Sequence, residues 1–184
     1  ETILERSERG KNRNVRKGKW PGGKPPLGYQ IDDDGYLEIE PEGAKIVRKV
    51  FNLYTEEDLA MTKLADYLNA QDIPTATQLK GTHPGNKGIW RPSSISRILS
   101  KKIYKGEFIF REDTEDEISI DVPEIVSEDT WQKAANLRNK NKTNSLRGSK
   151  RLYLLRGLIK CGECGLAYVG DGSQTRNYSY YRCT

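Results

Sequence analysis

Cys161, Cys164 and Cys183 are the only thiols in the chain, and their spacing is the one pattern that spells out a chemistry by itself. They run C-x₂-C, then eighteen intervening residues, then a third cysteine. Zinc takes four ligands in a tetrahedron, and two C-x₂-C knuckles about fifteen to twenty residues apart are a signature of a structural zinc site. The first pair stands in Lys160-Cys161-Gly162-Glu163-Cys164-Gly165, whose glycines let backbone N–H groups turn toward thiolate sulfurs. One residue, Thr184, follows the third cysteine. The spacing therefore predicts Zn²⁺ held by Cys161, Cys164 and Cys183, a fourth ligand that is not in this chain, and a sequence that is part of a longer one. Such a closed thiolate site is structural, with no open position for water. His83, the sole histidine, sits in a Gly/Pro loop far from the cysteines and reads as a solvated loop residue; Glu163 reads as filler of the knuckle.

Metal-type cysteine spacing argues for a reducing compartment, hence a cytoplasmic setting. No stretch approaches the ~18–20 apolar residues of a membrane span. With 35% hydrophobic and 31% charged residues over 184, any core is small, which is where a metal staple helps most. The net charge of +5 is unevenly spread. Residues 1–30 carry eight Lys/Arg against three Glu, residues 132–160 carry nine Lys/Arg and no acid, and residues 112–129 carry nine Asp/Glu and no base. Separated basic blocks are the footprint of a nucleic-acid partner, with a solvated surface as the plainer alternative.

The elements that must position these groups can be read from periodicity. Residues 1–9 have helix-forming composition, and Gly10 is expected to end that helix. Residues 11–26 (KNRNVRKGKWPGGKPP) read as an extended basic linker. Two short strands, 27–31 and 36–39, flank an Asp-Gly turn. Pro41 opens a helix whose Val47, Val50, Phe51 and Tyr54 recur at helical spacing. Thr62 is a candidate cap for a second helix burying Leu64, Tyr67 and Leu68, and residues 75–88 read as a loop. Ser93 or Ser94 caps a helix that buries Ile95, Ile98 and Leu99. Its other face presents Ser93, Ser96, Arg97 and Ser100, beside Lys101. Small hydroxyls interleaved with a guanidinium suit a helix pressed into a DNA major groove, and an ordinary surface helix is the competing reading. Next come a strand over 104–111, an acidic loop or irregular hairpin, and a helix capped by Ser127 with Trp131, Ala134, Ala135 and Leu137 on its apolar side. Residues 138–151 read as a basic connector, and 153–159, 167–169 and 178–182 as three strands of a zinc ribbon.

In order and spacing, Pro26-Leu27-Gly28-Tyr29, residues 44–54 (AKIVRKVFNLY), residues 68–75 (LNAQDIPT), residues 90–99 (WRPSSISRIL), Ile103-Tyr104-Lys105-Gly106, residues 125–131 (IVSEDTW) and residues 154–161 (LLRGLIKC) resemble the DNA-binding portion of large serine recombinases, the serine integrases and transposon resolvases. Asp72 stands where that family often has glycine, a turn Asp can tolerate. The resemblance implies an α+β fold: a small helical, helix-turn-helix-like domain with short β-hairpins, followed by a β zinc ribbon. It implies four parts, namely a helix end and basic linker (1–26), a recombinase domain (27–137), a basic connector (138–151) and the ribbon (152–184).

It further implies sequence-specific binding to double-stranded DNA at attachment sites, on behalf of a parent enzyme that cuts through a phosphoserine linkage and works with other recombinase subunits. The catalytic serine domain is absent from the matching motifs, so this chain is expected to catalyse nothing and to be monomeric without DNA. Arg13, Arg16, Lys17 and Lys19 would follow the minor groove. Ser93, Ser94, Ser96, Arg97 and Ser100 would enter the major groove, with Arg97 the candidate for guanine. Lys101, Lys102 and Lys105 would anchor phosphates, and Arg176, Tyr178, Tyr180 and Arg182 would offer contacts from the ribbon, although alternating tyrosines in a strand more often serve packing. Two other classes compete. A zinc-ribbon scaffold or transcription accessory protein would use the same surface for other contacts; a hydrolase would need a carboxylate or histidine cluster, for which only the acidic run is available.

Overall fold

A computed structural model describes residues 2–81, 88–112, 114–143, 153–155, 157–172 and 178–183. The chain divides into two compact units, Glu1–Ala135 and Asn136–Thr184.

The first unit begins with α1 (Ile3–Arg16), opened by a reciprocal cap in which Thr2 Oγ1 accepts the Glu5 N–H and the Glu5 carboxylate accepts the Thr2 N–H. The helix passes straight through Gly10, where the sequence pattern predicts its end. A mid-helix glycine costs only ~1 kcal/mol, and α1 packs along the later strand β4 with Val15 fully buried, so docking outweighs propensity. The true stop is Gly18, at φ +75°, in a Schellman turn: its N–H donates to Val15 O (2.8 Å) and the Lys19 N–H to Asn14 O (2.9 Å). Beyond Gly18 the chain is tied down rather than a free tether. Trp20 donates its backbone N–H to Gly35 O (2.8 Å) and its indole N–H to Gly23 O (3.0 Å), and its ring lies 4.8 Å from that of Phe108.

Strands β1 (Tyr29–Ile31) and β2 (Leu37–Ile39) pair antiparallel, Tyr29 opposite Ile39. Asp32 Oδ1 accepts the Tyr36 N–H across the expected turn. Gly28 lets this hairpin abut α2 (Pro41–Thr55): a Cβ there would sit 3.1 Å from Ala44 N. Pro41 takes the first helical position as predicted, and Glu40 caps it, its carboxylate accepting the N–H groups of Glu42 and Gly43. Ala44, Val47, Val50, Phe51 and Tyr54 form the buried face.

α3 (Met61–Ala70) buries Leu64, Ala65 and Leu68. Its cap position is Ala60, so Thr62 lies inside the helix; Tyr67 stays part-exposed beneath the Lys49 ammonium, 5.1 Å from its ring. The segment read as a loop holds a one-turn helix, α4 (Ala76–Leu79), where the Thr75 N–H donates to Gln78 Oε1 (2.8 Å). Then α5 (Pro92–Ser100) packs its buried Ile95, Ile98 and Leu99 on α2 and α3. Its cap residue is Arg91, one position before Pro92, so Ser93 and Ser94 occupy the first turn and neither caps.

A 3₁₀ turn (Lys102–Lys105) replaces the predicted start of a strand at 104, and Gly106 at φ +97° releases the chain into β3 (Glu107–Phe110). β3 pairs antiparallel with β4 (Ile118–Asp121), Phe108 opposite Ile120. Tyr29 reaches across to this region: its hydroxyl lies 2.7 Å from both Ile103 O and Pro123 O, and burial pushes its pKa well above the ordinary tyrosine value. α6 (Glu128–Thr143) starts at Ser127 as expected, its Oγ accepting the Thr130 N–H. It runs six residues beyond the predicted 137, so the first part of the supposed connector is helical.

In the second unit, β5 (Val169–Gly172) and β6 (Ser179–Arg182) pair antiparallel, with a single bridge between Lys160 and Ala167. Among the described residues, 153–159 contain turns and no strand, so the predicted three strands reduce to a hairpin and a bridge. The Tyr153 and Tyr181 rings meet edge-on at 5.8 Å, and the Tyr181 hydroxyl accepts the Leu155 N–H.

Candidate nucleic-acid interface and metal centre

α5 is placed by its neighbours before any ligand arrives. Asn69 in α3 clamps the backbone of Trp90: the Trp90 N–H donates to Asn69 Oδ1 (2.8 Å) and Asn69 Nδ2 donates to Trp90 O (3.0 Å). The buried Trp90 indole N–H donates to Ile73 O (2.8 Å). With Ile95 and Leu99 fully buried below it, α5 is packed against α3 and α2.

Its outer face borders a groove of about 880 Å³ whose other wall is the 20–27 segment and α4. Lys24, Lys80, Arg91, Arg97 and Lys101 line the groove together with Ser94, and among the described residues it has no carboxylate. Ser93, Arg97 and Ser100 are exposed, and Ser94 and Ser96 are half-buried. Ser100 Oγ donates back to Arg97 O (3.1 Å). Desolvation first, and the Arg97 guanidinium second, lower the Lys101 pKa. A cationic concavity beside a helix with small polar residues can take a polyanion at its rim and base edges at its helix.

The other predicted contacts divide. Arg13 and Arg16 sit in the last turn of α1 and Lys17 caps it, all exposed, on a helix instead of an extended linker. Lys19 is engaged within the fold: its ammonium donates to Asp34 O and lies 5.1 Å over the Tyr36 ring. Lys102 donates to Glu112 Oε1 (2.7 Å), a bond that raises its pKa. Lys105 lies between Glu128 (3.0 Å) and Glu107 (3.3 Å), over the Trp131 ring, and the Glu128 hydrogen bond raises its pKa. The acidic stretch read as a loop thus partners one of the predicted phosphate anchors, Lys102 through Glu112, while Lys105 is held by Glu107 of β3 and Glu128 of α6. Arg182 pairs with Asp171 (3.0 Å) across β5 and β6; Tyr178 and Tyr180 are exposed. Arg176 and His83 lie outside the described residues.

Lys24, Lys80 and Arg91 are the groove cations that the sequence pattern did not single out. Lys24 lies in the same basic segment as the predicted contacts, so charge alone pointed toward it. Lys80 and Arg91 are isolated in the sequence and join the groove only through tertiary packing.

The Sγ atoms of Cys161, Cys164 and Cys183 lie within 4.8 Å of one another. Tetrahedral zinc with Zn–S near 2.3 Å needs sulfurs ~3.8 Å apart, so the three fit a zinc ion with small adjustments. In the knuckle the Gly165 N–H donates to Cys161 O (2.9 Å) and the Cys161 N–H to Leu166 O (2.8 Å), carbonyls and not sulfurs. Backbone hydrogen bonds from Cys164 first and Glu163 second lower the Cys161 pKa to about 7, while hydrogen bonds to Cys164 and Cys161 raise Cys183 to about 11.

Residues 41–141 match the family model "Recombinase", and residues 154–184 match the "Recombinase zinc beta ribbon domain". A putative DNA recombinase of Bacillus subtilis (strain 168) is 27% identical over an alignment covering 97% of this chain and 39% of that protein. An uncharacterized protein, YbcK, of Escherichia coli (strain K12) is 24% identical, with 86% of this chain and 31% of that protein covered. The chain therefore spans less than half the length of these relatives. A chain in a crystal structure of an LSR–DNA complex superposes with TM-score 0.63 at 20% identity, covering 96% of this chain and 51% of that one. A chain from structural work on the sequence requirements of the Listeria innocua prophage attP site superposes with TM-score 0.61 at 20% identity, covering 97% and 73%. At that identity the likeness is one of fold: helical unit with hairpins, then ribbon. No helix among the described residues is long and apolar enough to cross a membrane.

Proposed function

Because this chain belongs to the recombinase family, we propose that it is the site-reading part of a site-specific DNA recombinase, binding double-stranded DNA at attachment sites. The observation that carries the proposal is the groove along α5, which has no carboxylate among its described residues and holds Lys24, Arg91, Arg97 and Lys101 around the helix that presents Ser93 and Ser94. α5 enters the major groove, where its small first-turn residues let the backbone approach and Arg97 takes a guanine edge. Ser94, Ser96 and Ser100 contribute hydrogen bonds to bases or phosphates. Lys24, Arg91 and Lys101 meet the flanking phosphates. Arg13, Arg16 and Lys17, at the end of α1, serve the adjacent minor groove. Lys102, Lys105 and Lys19 contribute less than their charge suggests, since each gives up an internal partner before it meets DNA.

The ribbon reads DNA further out, with zinc on Cys161, Cys164 and Cys183 and one more donor. The metal supplies only structure there; its thiolates tie the knuckle to the β5–β6 hairpin. Strand cutting through a phosphoserine linkage, and assembly with other recombinase subunits, belong to the larger enzyme.

Selection from a pool of random duplexes at rising salt tests the proposal. Phosphate-only binding decays with salt and enriches nothing, whereas base reading leaves a consensus. A consensus longer than one helical turn is expected. Arg97→Ala should relax one or two of its positions at a cost of about 1–3 kcal/mol, with the melting temperature unchanged because Arg97 is exposed. Binding that enriches nothing and vanishes at moderate salt would leave a scaffold.

A further inference from the structure

Lys80 is the groove cation whose charge is spent inside the protein. It is the residue after α4, half-buried, and its ammonium donates to the carbonyls of Pro25 (2.5 Å), Pro26 (3.0 Å) and Tyr29 (3.4 Å). Proline brings no backbone N–H, so a Pro-Pro step has carbonyls to satisfy and little of its own to fold with. An ammonium has three donors, enough to gather this turn of chain onto one point. Desolvation first lowers the Lys80 pKa; Glu40 opposes this, and Lys101 and Lys24 add to it. Such a lysine is held for its hydrogen bonds.

The position is informative as well. Upstream of the staple lie Lys24, the Trp20 anchor and the basic end of α1; α5 lines the groove across from it. The upstream segment is also held at Lys19, by Asp34 O and the Tyr36 ring, and at Trp20, through Gly35 O and the Phe108 ring. Between that anchor and β1, Gly22 and Gly23 both have positive φ and no neighbour against a would-be Cβ, and the Trp20 indole bond to Gly23 O is the local tie described for this stretch.

We propose that Lys80 is a positioning residue: by tying Pro25, Pro26 and Tyr29 to the end of α4, it fixes the offset between the Lys24 linker and the major-groove helix α5, and so sets the spacing the protein accepts between the two parts of its DNA site. The proposal rests on the DNA-reading function above. One base pair is about 3.4 Å along the duplex, so a rigid offset penalises a one-pair insertion and a loose one follows it.

Two measurements decide it. The first needs no DNA: amide exchange in the wild type, Lys80→Met and the milder Lys80→Gln, which keeps a neutral donor. The Tyr29 N–H, whose acceptor is Pro26 O (3.2 Å), should exchange about tenfold faster in Lys80→Met and by an intermediate factor in Lys80→Gln, while amides in α2 keep their wild-type rates. Unchanged exchange at Tyr29, or equal acceleration throughout the first unit, overturns the staple. The second compares the selected consensus with the same site carrying one inserted base pair between its inner and outer parts. Wild type should prefer the native spacing by about tenfold or more, and Lys80→Met should bring the ratio to within about twofold. A lysine that merely touched phosphate would weaken both duplexes alike and leave the ratio standing, which overturns the positioning role. If the wild type yields no consensus, the DNA-reading function has failed, and the exchange experiment still decides whether Lys80 holds the segment.

Discussion

The two units of this chain are held together by different forces. Every buried apolar side chain among the described residues lies between Val15 and Ala134, in the first unit. There Phe51, Leu64, Leu68, Ile95 and Leu99 pack α2, α3 and α5 against one another, and Tyr29 and Tyr104 close the far side. The described part of the second unit has no such residue, and leaves Leu154 and Leu158 79% and 75% exposed. Its order comes from one hairpin, one bridge, a tyrosine pair and three converging thiols. Apolar burial lets a surface tolerate polar substitution without loss of fold, whereas a fold organised around a metal stands or falls with its ligands.

The largest effect that would break this contrast is metal removal. Structural zinc contributes apparent binding free energies of about 10–16 kcal/mol in small zinc-dependent folds, so chelation, or Cys161→Ala, should unfold the ribbon outright. Trypsin would then cut freely after Lys160, while α2 to α5 stay protected. A ribbon that resists trypsin without metal would mean that residues such as Leu154 and Leu158 find apolar cover of their own.

The reciprocal perturbation is Phe51→Ala. Truncating a fully buried phenylalanine costs about 3–5 kcal/mol, which should lower the urea midpoint of the first unit substantially. Cobalt in place of zinc would report the thiolate site, and its charge-transfer absorption should be unaltered in this variant. Loss of that signal along with the helices would show one cooperative unit where the forces suggest two.

Smaller, and more local, is Asn69→Ala. It removes both hydrogen bonds to the Trp90 backbone and leaves a part-buried N–H and C=O without those partners, at about 1–3 kcal/mol. Since Asn69 sets the entry of α5, the variant should lose more DNA discrimination than its stability change accounts for. A loss of stability with an unaltered consensus would show that Ile95 and Leu99 alone orient the helix.

Legibility in the sequence obeys the same division of forces. The apolar periodicity of α2 and the Ile95–Ile98–Leu99 stripe of α5 were readable because burial repeats with the helix, and the metal site because its ligands are chemically distinctive. Tertiary decisions were not readable. Gly10 signals a helix end, and only Val15 docking shows why α1 continues. The 104–111 run has strand composition, yet Tyr104 is drawn into a buried 3₁₀ turn and Gly106 delays the strand. Lys102 and Lys105 look like free cations in the chain until the hairpin brings Glu112 and Glu107 beside them. The one-turn α4 did carry a local sign, Thr75 three residues before Gln78, masked by the prolines and glycines that flank it.

The smallest effect probes the boundary of the apolar unit itself. If α1 is part of that unit, its interior should respond to helix propensity as any packed helix does. Gly10 lies mid-helix, and a Cβ built there meets nothing within 4 Å. Gly10→Ala should therefore stabilise the first unit by about 0.5–1 kcal/mol, through the backbone entropy that glycine loses on folding, and raise its melting temperature by a few degrees. The shift should appear in the transition of the helical unit and not in the metal-dependent one. A variant with no change would mean that α1 beyond Gly10 melts before the core, and that Arg13 and Arg16 reach DNA from a flexible arm. A clear rise would mean that these arginines are carried on a helix whose direction is set by Val15 and β4, so that the minor-groove contacts inherit the rigidity of the apolar core.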